Sequence, residues 1–347
     1  MTTDAVGGVW RYSIDLAEGL AAYGVQTVMA ILGPAASAAQ RAEAKAVRGL
    51  SLIHTGLPLD WTATNPGELD QAGARLAGLA ALVGAGSVHL HAPALVGTAR
   101  WPTPVVAVAH SCVATWWRAV QSGAMPDDFA WRTSITRTGL LAAQAVIAPT
   151  SAHARLVAAV YGPVPIQVVH NGGRAVPVEP RPRRPAVLTA GRLWDAGKAV
   201  NWLDRAAAEL DVPVLAAGPT VGPNGSTVQF DHLQQLGTLG PDALAAEYAG
   251  ATVFASMARY EPFGLAVLEA ARAGMALVLS DTPGFRELWD GAAIFVLAKT
   301  DLLPALRQAL AKPEGWAARA QARAAHYTID KMAAGTLAVH RSVGALV

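Results

Sequence analysis

The chain of 347 residues is poor in several things, and each shortage excludes something. It has one cysteine, Cys112, so a disulfide framework within the chain is impossible, which fits a reducing cytoplasm. Only 15% of residues are charged, and 27 Lys and Arg set against 25 Asp and Glu leave a formal net charge of +2. There is no basic tract of the kind that marks nucleic-acid binding; an anion would have to be held by a few placed cations. Long apolar runs are missing too. Ala266–Leu279 is broken by Glu269 and Arg272, and no stretch reaches the ~18 uninterrupted apolar residues of a membrane helix. Contact with a membrane surface stays open. Met1–Gly8 is short, polar and glycine-rich, unlike a signal peptide. No Asp-x-Asp metal motif is seen at Asp127-Asp128, which reads instead as the acidic first turn of a helix over Asp128–Ala143.

What the chain does have is apolar material, 52% of residues, ample for two cores at ~150 residues each. Short apolar runs alternate with Ala/Leu-rich stretches of helical length. Val25–Ile31, Ser87–His91, Val105–His110 and Ala145–Ala148 read as buried strands, with Val9–Tyr23, Gly67–Val83 and Ser151–Val160 as helices between them. After Asn171–Pro185, a proline- and arginine-rich stretch that reads as a linker, the alternation restarts. Ala186–Gly191, Val214–Ala217, Thr252–Ala255, Leu277–Leu279 and Ala293–Val296 read as strands; Ala199–Leu210, Pro241–Gly250 and Gly264–Gly274 read as helices, and Asp301–Val347 as wholly helical. Such alternation is that of a parallel α/β sheet, twice over. The beginning is unusual: Met1–Asp4 leaves almost no strand ahead of Gly7-Gly8, so the first strand is either very short or cut off.

Four segments carry chemistry. In Arg259-Tyr260-Glu261-Pro262-Phe263-Gly264-Leu265, Pro262 disfavours helix at Glu261 and the helix should start near Gly264, so its free N–H groups make an anion and hydroxyl site of backbone. Glu261 stands at the mouth; Glu269 lies about one and a half turns further in and alternatively faces solvent. Gly191-Arg192-Leu193-Trp194-Asp195-Ala196-Gly197-Lys198 follows a strand. A P-loop is excluded because five residues separate Gly191 from Gly197 and Ala199 stands where Ser or Thr is required. Arg192 offers a bidentate fork and Lys198 a point charge for a diphosphate; otherwise they are two surface cations. Gly7-Gly8 precedes a helix, as a phosphate-approaching loop or a plain turn. His110 ends a strand, where a ligand-facing and a core histidine are both open. Thr115–Arg118, with its two tryptophans, suits sugar stacking and core packing equally. His89 and His91 share a strand face without an apparent third metal ligand and read as structural or cleft-lining.

Glu-Pro-Phe-Gly-Leu with a second glutamate after seven intervening residues resembles the signature of family 4 of the retaining GT-B glycosyltransferases, also called group 1. The Gly-Arg-Leu…Gly-Lys segment, the Gly-Gly loop, His110-Ser111, the Asn171-Gly172 turn and Pro283–Glu287 resemble the same family. The resemblance runs from Asp4 to about His340–Arg341 and is strongest over Gly191–Glu287. It implies two Rossmann-like domains facing across a cleft: residues 1–172 binding acceptor, 173–185 as linker, 186–325 binding donor, and a C-terminal helix, 326–347, crossing back to the first domain. It implies that Arg192 and Lys198 clamp the donor diphosphate, that Glu261 and His110 contact the donor sugar, that Glu269 holds the ribose, and that Phe263, Gly264 and Leu265 present backbone amides to sugar and phosphate, with Gly7 and Gly8 facing the diphosphate. The implied activity is transfer of a sugar from a nucleoside-diphosphate sugar to a sugar, lipid-linked or small-molecule hydroxyl, with retention, no metal, no cofactor beyond the donor substrate and no nucleic-acid partner. Asn224-Gly225-Ser226 is read as a loop bordering the base. A phosphorylase, epimerase or trehalose-type synthase on the same fold, or a non-catalytic nucleotide-sugar binder, are the alternatives.

Overall fold

A computed structural model describes residues 1–97, 99–174, 182–222 and 225–345. The chain divides into two compact units: residues Met1–Gly172 with Thr328–Val347, and Gly173–Tyr327.

The first unit runs β1 (Thr2–Asp4), α1 (Gly8–Ala21), β2 (Thr27–Leu32), α2 (Ala38–Ala46), β3 (Leu50–His54), α3 (Pro66–Leu82), β4 (Val88–Leu90), β5 (Val105–Val108), α4 (Val113–Val120), α5 (Asp127–Ala142), β6 (Ala145–Ala148), α6 (Ser151–Tyr161) and β7 (Ile166–Val168). Its strands form two parallel ladders, β1-β2-β3 and β4-β5-β6-β7. The first strand is present but three residues long, pairing Thr2–Asp4 with Ala30–Leu32. Thr2 bridges the two ladders through its side chain, whose Oγ1 accepts from the His91 amide at 3.0 Å. A cavity of about 490 Å³ opens beside β1 and is lined by Met1, Val28, Gly86, Val88, His89 and His340 among others.

The second unit runs β8 (Arg184–Ala190), α7 (Asn201–Ala207), β9 (Val214–Ala217), β10 (Gln234–Gly237), α8 (Pro241–Gly250), β11 (Ala251–Ser256), α9 (Leu265–Arg272), β12 (Ala276–Ser280), α10 (Pro283–Trp289), β13 (Ile294–Val296), α11 (Leu302–Ala311) and α12 (Pro313–Ala324). All six strands are parallel, in the order β10-β9-β8-β11-β12-β13. The central strands are mostly apolar because both faces are covered. Ala186 and Leu188 of β8 face the cluster of Phe254, Leu268 and Trp289, whereas Val187 faces Leu203, Val253 and Leu306. The last helix, α13 (Ile329–Ser342), belongs to the first unit, where Met332, Ala333 and Leu337 pack on Tyr12, Leu16 and Leu20 of α1.

Part of the stretch read as linker, residues 175–181, lies outside the described residues. The remainder corrects that reading at its C-terminal end. β8 already starts at Arg184, and the Arg183 guanidinium donates to the carbonyls of Tyr248, Ala251 and Ala273. A fork that satisfies carbonyls at the C-terminal ends of α8 and α9 is a staple, which the proline density hid. No helix among the described residues is long and apolar enough to cross a membrane.

Candidate active site

Renumbered within its own unit, the second sheet has the order 3-2-1-4-5-6, which reverses between β8 and β11. Loops leaving the carboxyl ends of those two strands diverge to opposite sides and leave a crevice that takes ligands in open α/β sheets. Both chemistry-bearing segments of the second unit leave from there: 191–198 after β8 and 257–264 after β11.

The first loop passes close over the end of β9. Gly218 sits at φ 142°, and a Cβ added there would lie 1.8 Å from the Gly191 carbonyl oxygen, so glycine is required for the approach. The loop then tightens into a 3-10 turn over Ala196–Lys198. Its fastening is a single buried carboxylate. Asp195 Oδ1 accepts from the Gly197 amide at 2.8 Å and Oδ2 from Arg192 Nη2 at 3.0 Å. The two loops are tied by backbone, since the Gly197 carbonyl accepts from the Arg259 amide at 2.8 Å. This brings Lys198 Nζ into an ion pair with Glu261 Oε2, both side chains about four-fifths buried at 20% and 18% exposure. Lys198 is therefore not a surface cation. Arg192 is 55% exposed and lies with its guanidinium carbon 5.7 Å from the Trp194 ring centre.

Gly264 is the N-cap of α9 at φ 91°, ψ 67°, with no side chain to cap the helix. The first-turn amides thus have no capping side chain, which suits them to an anion or a hydroxyl. A Cβ on Gly264 would approach Phe285 Cε1 at 3.2 Å and Glu261 Cγ at 3.3 Å. Phe263 is buried and meets Tyr327 edge-on at 5.7 Å, so its ring anchors the turn while its backbone stays at the helix start. Leu265 is half-buried. Glu269, also half-buried, lies beside the buried Tyr248 phenol. Burial first, and then the Glu269 charge, holds that phenol protonated well above its ordinary range. Glu287 lies half-buried on α10. Asn224 lies outside the described residues; the Gly222 amide donates to Ser226 O at 2.7 Å.

Gly7, Gly8 and His110 belong to the first unit. Gly7 is the exposed N-cap of α1, with extended backbone and open space around its Cα. His110 follows β5 and joins a nest of imidazoles that sequence spacing did not reveal. Its ring lies 5.0 Å from that of His91 and 4.6 Å, edge-on, from that of Tyr12. His89 and His91 meet at 5.0 Å, and His89 stacks on His340 of α13 at 5.3 Å. A hydrogen-bonded chain runs from Ser87 Oγ to His340 Nδ1, and from His340 Nε2 to His89 Nδ1 at 3.0 Å. The Nε2 atoms of His89, His91 and His110 are buried without a partner. Burial first, and then a neighbouring imidazole or, for His340, the Met1 amine, pushes these rings toward the neutral form: His110 down to about 3, His340 down to about 4, His89 and His91 well below their ordinary range. Among the described residues no group of three or more His, Cys, Asp or Glu is arranged to hold a metal ion. Trp117 meets Phe129 edge-on at 5.7 Å and donates Nε1 to Gly123 O, so packing between α4 and α5 occupies that ring.

Thus Arg192, Lys198, Glu261, Phe263, Gly264 and Leu265 lie on the loops and the helix start that leave one switch point, and Glu269 lies further along α9 beside Tyr248, while His110 and the Gly7-Gly8 loop sit at strand ends of the first unit. Asp195, Tyr248 and the Arg259 amide were missed. The signal for Asp195 was present: an acid three residues after an arginine in a loop with no other acid.

Two parallel α/β units with the final helix returned to the first, and a cation loop at a switch point, define a GT-B protein. Comparison gives the same class. The solved sucrose-phosphate synthase of Thermosynechococcus elongatus superposes with a TM-score of 0.78 at 18% identity, over 97% of this chain and 93% of that one. Anabaena HepE, solved with UDP and glucose, gives 0.74 at 16% identity over 97% and 98%, and WaaG, a glycosyltransferase of lipopolysaccharide biosynthesis, gives 0.69 at 15% over 98% and 99%. No curated protein matches by sequence. Two family models cover most of the chain: Glycosyltransferase Family 4 over residues 6–172 and Glycosyl transferases group 1 over residues 184–312. The chain belongs to this family 4, or group 1, of glycosyltransferases.

Proposed function

We propose that the protein transfers a hexosyl group from a nucleoside-diphosphate sugar to an acceptor hydroxyl with retention of anomeric configuration and without a metal. The observation that carries this reading is the tie between the two loops: with Gly197 O bound to the Arg259 amide, the loop that carries Arg192 and Lys198 sets Lys198 against Glu261. As the anomeric carbon–oxygen bond breaks, negative charge builds on the leaving diphosphate. Two cations, Arg192 and Lys198, meet that charge and take the place of a metal. The second unit binds the donor, with Glu261 and the amides after Phe263 on the sugar and Glu269 on the ribose; the first unit binds the acceptor.

Retention follows from same-face displacement. The acceptor oxygen bonds to the anomeric carbon on the face the diphosphate leaves, and the acceptor proton passes to the departing phosphate oxygen. His110 is read as the sugar-contacting histidine; held neutral, it adds no positive charge to an anomeric carbon that becomes cationic. The setting is the cytoplasm, where nucleoside-diphosphate sugars are made.

Calorimetric titration with UDP, GDP and ADP, without divalent metal, tests the donor site. One of them binds, and Arg192→Ala weakens it. Binding of none by the folded protein sinks the reading. HepE was solved with UDP-glucose, which makes that sugar the first donor to try. The coupling of the anomeric proton in the product, read by NMR, decides retention against inversion.

A further inference from the structure

The cation loop contains a residue with no assigned part in the reaction. We propose that Asp195 is a positioning residue: it aims the Arg192 guanidinium at the donor diphosphate. This rests on the donor-site reading above.

The asymmetry of the Arg192–Asp195 pair carries the argument. The acid is 7% exposed and the base 55%. Both carboxylate oxygens are engaged, one by Arg192 Nη2 and one by the Gly197 amide. The carboxylate is therefore the fixed partner and the guanidinium the adjustable one. An arginine has five N–H donors, and one bond to Asp195 leaves a second edge of the fork for phosphate oxygens. Trp194, 5.7 Å from the guanidinium carbon, bounds the other side. Asp195 also meets both cation-bearing residues through its backbone: its amide donates to Arg192 O at 3.1 Å, and its carbonyl accepts from the Lys198 amide at 2.9 Å. Apart from Trp194, the rest of the loop is Gly191, Leu193, Ala196 and Gly197, none with a polar side chain that could hold a cation in place.

Two rival roles make different predictions. If Asp195 only caps the 3-10 turn, its loss affects the loop whether or not Arg192 is present. If it competes with phosphate for Arg192, removing its charge tightens nucleotide binding. The test is a double-mutant cycle. Asp195→Asn keeps an oxygen for the Gly197 amide while removing the charge. Affinity for whichever of UDP, GDP or ADP the wild type binds is measured for Asp195→Asn, Arg192→Ala and the double variant, with thermal melts alongside.

The expected result is about a tenfold loss for Asp195→Asn, the scale of one charge-assisted hydrogen bond, and less than about a twofold further loss when it is added to Arg192→Ala. An equal loss in both backgrounds overturns the proposal in favour of a cap. Tighter binding overturns it in favour of a competitor. An Arg192→Ala variant that binds like the wild type refutes the donor-site reading itself, and that is seen without the Asp195 variants.

Discussion

The two units keep buried polar groups in opposite ways. In the first, five ring residues (Tyr12, His89, His91, His110 and His340) lie together, the Nε2 atoms of His89, His91 and His110 are sealed from water without a partner, and burial keeps the imidazoles uncharged. In the second, Lys198 and Glu261 are also largely buried, yet they stand as an ion pair, and Asp195 holds Arg192. A group stored neutral costs little at neutral pH but is exposed to acid, because protonation puts charge where no partner waits. A group stored as half of a pair tolerates acid better but depends on its partner, and a phosphate can take that partner's place. The first arrangement suits a scaffold, the second a site that must exchange ligands.

The largest effect that sharpens this contrast comes from the charged side. Arg192→Ala and Lys198→Ala should each lower kcat about 100- to 1000-fold, the scale for removing one donor to a developing anion. They should differ in stability. Loss of Arg192 leaves Asp195, 7% exposed, without its cation but still accepting from the Gly197 amide, whereas removing Lys198 takes away the cation that Glu261 holds at 18% exposure, so Lys198→Ala should lower the melting temperature more. Initial rates and thermal melts of both variants check this, and equal melts would mean that the Lys198–Glu261 pair contributes no more to the fold than the Arg192–Asp195 pair.

Acid breaks the contrast from the other side. The folded histidines bind protons less readily than the unfolded ones, so their contribution to stability is complete above pH 6.5 and is lost as pH falls toward 4. His110 alone, pushed from 6.5 to about 3, costs about 2–3 kcal/mol by pH 4.5. The groups facing it are Tyr12 of α1, His91 after β4 and His153 of α6; those facing His89 are Tyr12, His91, His340 of α13 and the buried Met1 amine, itself lowered to about 6. Calorimetric scans from pH 7.5 to 4.5 should show a steady loss of melting temperature, shallower in His110→Phe. A parallel loss in that variant would assign the acid limb to other groups.

How far all this was readable from the chain differs between the two regions for the same physical reason. The switch-point segments were legible because their chemistry is local: the Pro262–Gly264 break and the Gly191–Lys198 run each lie within a dozen residues. The imidazole nest joins positions 89, 91, 110 and 340, and only the folded sheet and the returned α13 bring them together. Apolar strands buried on both faces were legible as runs. The edge strand β10, Gln234–Gly237, was missed because exposure leaves it without an apolar pattern, and so was α2, whose one visible signal was the Ser37–Gln40 capping box. β3 was missed because its residues are only half-buried.

Gly264→Ala is a smaller perturbation of the paired site. The left-handed backbone costs an alanine about 1–2 kcal/mol, and the new methyl presses on Glu261 Cγ and Phe285. The expected outcome is a melting temperature lower by several degrees together with weaker donor-sugar binding, measured on UDP-sugar against UDP alone. Loss of UDP binding to the same extent would place the damage in the whole crevice rather than at Glu261.

The smallest effect is argued for Ala199, which sits at φ 48° immediately after Lys198 and is the only described non-glycine residue with positive φ. Replacing it by glycine relieves about 1–2 kcal/mol of left-handed strain. The same change removes a buried methyl, 6% exposed and packed with Leu203 and Val253, at about 0.8 kcal/mol. It also frees the unfolded chain, at about 0.4–1 kcal/mol. The gain and the two losses cancel to within about 1 kcal/mol, so Ala199→Gly should shift the urea midpoint very little. A clear stabilisation would show that the turn presenting Lys198 stores more strain than its backbone angles imply. A clear loss would show that the Ala199 methyl, rather than the Asp195 carboxylate, is what keeps the cation loop seated on the sheet.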